Sequence, residues 1–290
     1  MTPPRIALAT AVAAFCHDAD LEPLRAALHA AGAEAEALAW DDPTVSWSRF
    51  DAVLLRSTWD YAERRAPFLE WCAHVHSASR LFNPPDVVAW NTDKHYLATL
   101  AAAGVPVVPS TFLQPGENPA TLPDHAEFVV KPAVGAGARD ARRYTRGRRD
   151  DALAHATRLL DGGRSVLVQP YLEQVDRHGE GTLIFIDGHF SHGIRKGALL
   201  ARNAAATDGL FAAETIAARD PSAQELEVAR KALAAQPFGP LLYARVDLLP
   251  SADGPLLLEL ELTEPSLFFA HGAHAAERLA AAVLSRLAAP

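Results

Sequence analysis

Sulfur is scarce in this sequence: its 290 residues include two cysteines and one methionine. Cys16 and Cys72 stand in neither CxxC nor His-rich contexts, which argues against a disulfide framework and against a thiolate metal site. A long apolar run is missing too. Residues 1–12, MTPPRIALATAV, are apolar but too short to span a bilayer, and the acidic stretch at 17–20 follows where a cleavage region would lie. We therefore expect a first β-strand rather than a signal peptide, a cytoplasmic location and no membrane partner. There is no long basic run, and the formal net charge is -8. A nucleic-acid partner needs a phosphate-neutralising patch, so none is expected. The one basic cluster, Arg139, Arg142, Arg143, Arg146, Arg148 and Arg149, suits a solvated face beside a loop better than a nucleic-acid site. Neither glycine nor proline dominates, which removes the fibrous and disordered classes.

What is present is apolar and patterned. Hydrophobic residues make up 49% of the chain, enough for two or three modules with cores of their own. RIALAT at 5–10 suits a buried parallel strand. Asp20 is placed to cap a helix whose Leu21, Leu24 and Leu28 share a face and which Gly32 ends. Strands at 35–40 and 51–56 and a helix at 64–75 follow. This strand–helix alternation predicts a small doubly wound α/β domain over 1–90. Loops at the carboxyl ends of such strands carry ligand sites. Arg56, Ser57, Trp59 and Tyr61 occupy that position and suit a small polar or zwitterionic ligand; an ordinary loop capped by Asp60 fits the same residues.

A second module over 91–168 opens with Asn-Thr-Asp-Lys and a helix, then strands at 107–113 and 127–131, a small-residue loop, a helix at 150–160 and a strand at 165–169. A third, over 169–290, holds a hairpin turning at Asp187-Gly188, a helix at 222–235, two apolar strands joined through 251–254, and an amphipathic helix at 274–287.

The last two strands carry the strongest chemistry. Alternation puts Arg245 and Asp247 on one face, and Glu259 and Glu261 share a face of the partner strand. Carboxylates in apolar strands are costly without a compensating cation, and hard oxygen ligands select Mg²⁺ or Mn²⁺. A solvated sheet face with Arg245 as a structural partner is the alternative. Lys131 ends an apolar strand just before Gly135-Ala136-Gly137, whose small residues let backbone N–H groups approach an anion. The loop is neither a Walker A sequence nor a GxGxxG fingerprint. Lys94 sits in the first turn of a helix, where a cation opposes the helix dipole and a bound anion would account for it; an exposed surface lysine is the alternative.

In order, Lys94, Lys131 with its loop, Gln169-Pro170-Tyr171-Leu172-Glu173, Arg245-x-Asp247 and Glu259-x-Glu261 resemble the ATP-grasp superfamily over nearly the whole chain. The resemblance implies an α/β and α+β fold, with the N-terminal α/β domain preceding two subdomains that clasp ATP. It further implies that Lys94 and Lys131 touch the phosphates beside Gly135 and Gly137. Gln169, Tyr171, Leu172 and Glu173 would form the adenine hinge, and Glu180, or secondarily Asp176, would hold the ribose. Asp247, Glu259 and Glu261 would bind Mg²⁺, with Glu261 standing where the family commonly has Asn. Arg245 would steady the transferred phosphate. Arg195 and Lys196, at the end of a hairpin strand, are further candidates for contact with phosphate or substrate carboxylate, and hairpin-end surface charges fit them equally.

Within the superfamily, RSTWDY, WNTDKHYL, VQPYLE and ELELTEPS are similar to the glutathione-synthetase-like branch, and in particular to cyclo-ligases that close O-ureido-D-serine to D-cycloserine. The implied reaction is C–N bond formation through an acyl phosphate on a small amino-acid-like carboxylate. An intermolecular carboxylate–amine ligase and a non-catalytic ATP-binding regulator are the alternatives. The sequence does not fix the oligomeric state, and a homo-oligomer is compatible with it.

Overall fold

The computed structural model describes residues 2–198, 200 and 215–289. Four short strands form the first sheet: β1 (Arg5–Thr10), β2 (Glu34–Ala39), β3 (Ala52–Leu55) and β4 (Arg80–Phe82), all parallel, in the order β2-β1-β3-β4. Strands β1 and β3 are apolar at almost every position because both faces are covered. Ile6, Leu8 and Leu54 pack with Leu24 and Leu28 of α1 (Leu21–Ala30). The intervening Ala7, Ala9, Val53 and Leu55 pack with Phe68, Cys72 and Val75 of α2 (Arg65–Ala78) on the other side.

Asp20 does not cap α1 through its side chain. Its carboxylate instead accepts the backbone N–H groups of Leu267, Phe268 and Phe269 at 2.6, 2.9 and 2.8 Å. Three charge-assisted bonds outweigh one cap, and they tie the first loop of the chain to a segment near its end.

Helices α3 (Pro85–Asn91) and α4 (Tyr96–Ala102) lead into the second, antiparallel sheet. It comprises β5 (Thr111–Leu113), β6 (Glu127–Pro132), β7 (Arg142–Thr145) and β8 (Val166–Pro170) in the order β5-β8-β6-β7, backed by α5 (Arg149–Asp161). The strand expected at 107–113 is shorter than its apolar pattern. Val107 bridges Leu257 and the Val108 N–H donates to the Leu257 carbonyl at 2.9 Å. Pro109, with no N–H to offer a ladder, separates that contact from β5.

The third sheet follows α6 (Val175–His178). It contains β9 (Glu180–Ile186), β10 (His189–Lys196), β11 (Ile216–Ala218), β12 (Tyr243–Leu249) and β13 (Leu256–Glu261), ordered β11-β10-β9-β12-β13. Asp187 and Gly188 turn the β9–β10 hairpin with φ of 51° and 76°, as a tight hairpin turn requires. Helix α7 (Ala223–Ala235) starts on a capping box between Ser222 and Glu225. Helix α8 (Ala275–Ala288) returns to the first sheet, where Leu279 and Val283 join the core around Leu24, Leu28 and Ile6. Among the described residues no helix is long and apolar enough to cross a membrane.

Candidate active site

Pairing of β12 with β13 sets Arg245 opposite Glu261 and Asp247 opposite Glu259, so all four side chains share one face. The intervening Ala244, Val246, Leu248 and Leu260 enter the apolar core behind the sheet. Neighbouring strands extend the charged face. On β9, Thr182 lies opposite Asp247 and donates to it at 2.7 Å. Lys196 of β10 lies opposite Glu180 of β9 and reaches both Glu180, at 2.7 Å, and Asp247, at 3.2 Å. Arg245 binds Asp247 at 2.9 Å and pairs closely with Glu261. From the second module, Lys94 contacts Glu259 at 2.8 Å and the Gly135 carbonyl at 2.9 Å.

These pairs set the charge states. Burial alone would raise Asp247, but Arg245 and Lys196 beside it hold it well below the usual carboxylate range. Burial likewise opposes ionisation of Glu259, which Lys94 and Lys131 overcome and bring below its ordinary value. For Glu261 burial wins: with Glu259 and Asp247 adding repulsion against the help of Arg245, it rises to about 8. Burial also raises Glu180. Lys94 is buried, yet Glu259 keeps its ammonium above the ordinary value. Lys131 is lowered, because burial outweighs the pull of Glu259.

Two cavities meet at this face. One, of about 200 Å³, lies between the second and third sheets and is walled by Lys94, Lys131, Gln169, Tyr171, Leu172 and Glu180. The other, of about 380 Å³, opens toward the first module beside Asp18, Trp59, Tyr61, Asn91 and Glu264. Gly135, Gly137, Lys196, Arg245, Glu259 and Glu261 belong to both walls. A ligand in each cavity would therefore meet at a junction lined by Lys196 and Arg245 beside Glu259 and Glu261.

Not every expected residue faces this pair of cavities. Arg56 is 1% exposed, pairs with Asp20 at 3.7 Å and Asp18 at 4.0 Å, and donates to the Pro265 carbonyl at 3.2 Å. Ser57 is fully buried against Thr10. Both belong to the support behind the wall, because the chain turns only after them; Trp59 and Tyr61 reach the cavity. Arg195 is exposed and lines a separate surface depression with Arg177 and Thr215, since alternation on β10 sends it opposite to Lys196.

Glu173 lies in another surface depression with Gln174 and Arg177. Asp176 pairs with Arg143 at 3.2 Å and accepts the Tyr171 hydroxyl at 2.5 Å, while Arg143 stacks on the Tyr171 ring at 3.4 Å. The Tyr171 N–H is donated to the Glu127 carbonyl at 2.9 Å, because the chain runs on beside β6 after β8 ends. Gln169 donates to Ser110 at 3.0 Å.

Sequence reasoning passed over Asn91 and Glu264. Asn91 binds the Leu260 carbonyl and the Leu262 N–H, both at 2.7 Å, and so fixes the end of β13. Its signal was the polar start of the Asn-Thr-Asp-Lys segment. Glu264 stands in the quoted ELELTEPS, where a carboxylate just past an apolar strand marks a buried site.

The donor chemistry of Asp247, Glu259 and Glu261 fits a hard divalent cation, and all three line the smaller cavity. They do not form a ready cage. Among the described residues no three His, Cys, Asp or Glu side chains converge as metal ligands, and each of these three is drawn to a Lys or Arg.

Residues 6–83 match the family described as D-cycloserine synthetase DcsG, N-terminal domain. The chain is 44% identical over 299 residues to the cycloserine biosynthesis protein DcsG of Streptomyces lavendulae, covering 97% of this chain and 98% of that protein. It superposes on the crystal structure of D-cycloserine synthetase DcsG with a TM-score of 0.90 at 43% identity, over 98% of this chain and 99% of the other. D-alanine–D-alanine ligase from Bacillus anthracis, solved with ATP, matches with a TM-score of 0.68 at 15% identity, over 99% of this chain and 97% of that one, a likeness of fold. The α/β and α+β architecture expected from the motif order is the fold shared with the ATP-grasp ligase PsnB, which matches with a TM-score of 0.65 at 20% identity over 98% of this chain and 99% of that one. The chain belongs to the D-cycloserine synthetase family and has the ATP-grasp fold.

Proposed function

We propose that this ligase uses Mg-ATP to phosphorylate the carboxylate of O-ureido-D-serine and then closes the molecule to D-cycloserine. The observation that carries the reading is the shared wall: the cavity between the second and third sheets and the cavity toward the first sheet meet at Arg245, Lys196 and the 135–137 loop. A substrate carboxylate oxygen attacks the γ-phosphorus of ATP, and ADP leaves. The ureido nitrogen bonded to oxygen then attacks the acyl carbon, phosphate departs, and a five-membered ring closes. One water removes the ureido carbonyl as carbamate, which balances the atoms.

Positioning and electrostatics supply the catalysis, and no protein nucleophile is needed. Lys94, Lys131 and the backbone of Gly135 and Gly137 hold the phosphates. Gln169, Tyr171 and Leu172 face the base, and Glu180 the ribose. Arg245 and Lys196 take the charge that develops at the junction. Trp59 and Tyr61 enclose the substrate. Asp247, Glu259 and Glu261 would hold Mg²⁺, which neutralises phosphate charge when bound. Lys94 and Arg245, which now hold these carboxylates, would be free to turn to phosphate oxygens once a cation held the acids. The chain is read as three units, 1–90, 91–168 and 169–290. An ATP-consuming ligase belongs with the ATP of the cytoplasm.

The test is ADP release with O-ureido-D-serine as the sole substrate beside ATP. Turnover without an added amine supports cyclisation. A strict requirement for a second amine would replace it with intermolecular ligation, and nucleotide binding with no ADP release under either condition would favour a regulator.

A further inference from the structure

The turn after β13 is held from several sides. Trp59 donates to the Glu264 carbonyl at 3.2 Å, the Tyr243 hydroxyl to the Thr263 carbonyl at 2.9 Å, and Arg56 to the Pro265 carbonyl at 3.2 Å. Arg245 reaches the Ser266 carbonyl at 3.4 Å. The backbone is thus fixed, and it projects the Glu264 side chain into the wall of the 380 Å³ cavity beside Trp59, Tyr61 and Asn91.

This carboxyl group differs from its neighbours. Glu180, Asp247, Glu259 and Glu261 each have a lysine or arginine within hydrogen-bond reach, and Asp18 has Arg56 at 4.0 Å. Glu264 is 6% exposed and, among the described residues, has no ion-pair partner. Its own backbone amide bears on it, and burial pushes it up to about 7. An uncompensated carboxylate in such a place is costly, and a cation entering the cavity removes that cost.

The function proposed above, on which this inference rests, brings such a cation. The ammonium and carboxylate of an α-amino acid sit on the same carbon, so their two anchors must be close. Glu264 stands in the wall of the same cavity as Arg245 and Glu259, so both anchors face one space. We propose that Glu264 binds the α-ammonium group of the substrate and so selects an amino acid over a simple carboxylic acid. The Arg245 end of the cavity receives the carboxylate. A substrate without the ammonium leaves Glu264 buried and unpaired, which is how a polar site rejects an analogue.

The experiment compares O-ureido-D-serine with its des-amino analogue, 3-(ureidooxy)propanoic acid, in ADP release by the wild type and by Glu264→Gln. The wild type is expected to prefer the amino acid by about 10²-fold in kcat/KM. Glu264→Gln is expected to lose most of that preference through a higher KM for O-ureido-D-serine, with little change in kcat or in KM for ATP. Retention of the wild-type preference overturns the inference alone. A wild type inert toward O-ureido-D-serine overturns the functional reading and this inference with it. Should Glu264→Gln fail to bind a non-hydrolysable ATP analogue, Glu264→Asp carries the same comparison: a diminished preference supports the anchor, and an intact one removes it.

Discussion

Two buried charge clusters in this ligase look alike and do different work. In one, Arg56 lies among Asp18 and Asp20, and Asp20 gathers three backbone N–H groups of the segment 267–269. In the other, Arg245 and Lys196 are set among Glu180, Asp247 and Glu261, with Lys94 on Glu259. Both bury arginine beside carboxylates. Asp18 and Asp20 edge the larger cavity, but the Arg56 side chain between them lines neither cavity, whereas Lys196, Arg245, Glu259 and Glu261 of the second cluster line both. Burial and pairing therefore do not mark a reaction centre, and access to a ligand does. Breaking a buried pair costs stability in either place, but charge at a junction is also charge available to a transition state.

Paired substitutions break that comparison most sharply. Arg245→Ala should lower the ADP-release rate by about 10²–10³. Arg56→Ala should instead cost about 3–5 kcal/mol of unfolding free energy, read from urea titration, with a smaller loss of kcat in the folded fraction. Equal kinetic losses would dissolve the distinction. Lys196→Met and Arg195→Met sharpen it within a single strand. The first should lower kcat/KM by about 10², while the second should leave kinetics unchanged and stability within about 0.5 kcal/mol.

Asp20→Asn probes the supporting cluster from its acidic side. Weakening bonds to a charged acceptor should cost about 1.5–3 kcal/mol, measured by the same titration, with hydrogen exchange rising first at Leu267, Phe268 and Phe269. The smallest effect belongs to Glu173→Ala, for which an unchanged KM for ATP is expected, since Glu173 lies in a separate surface depression.

The sequence carried the second cluster more clearly than the first. Period-2 alternation alone brought Arg245 and Asp247 to one face, and Glu259 and Glu261 to one face of the partner strand; pairing merged the two. Alternation fails where a strand ends. Arg56 and Trp59 share one loop, and nothing local tells that the first turns inward and the second toward the cavity. Arg195 was within reach of the same rule, because its neighbour Lys196 takes the opposite face of β10.

Long-range competition hid other features. Asp20 sits where a helix cap belongs, yet residues 267–269 outbid the helix for its carboxylate. Val107 and Val108 have the apolar character of β5 but contact Leu257 of β13. Glu264 gave no periodic signal at all; its isolation exists only once Trp59, Tyr61 and Asn91 surround it.

The most direct test of the junction follows an oxygen atom. O-ureido-D-serine labelled with ¹⁸O in its carboxylate should deliver ¹⁸O to the inorganic phosphate released with ADP, because one carboxylate oxygen becomes the acyl–phosphate bridge and leaves with phosphorus. Phosphate free of ¹⁸O while D-cycloserine accumulates would contradict the account, since ring closure would then proceed without phosphorylation of the carboxylate.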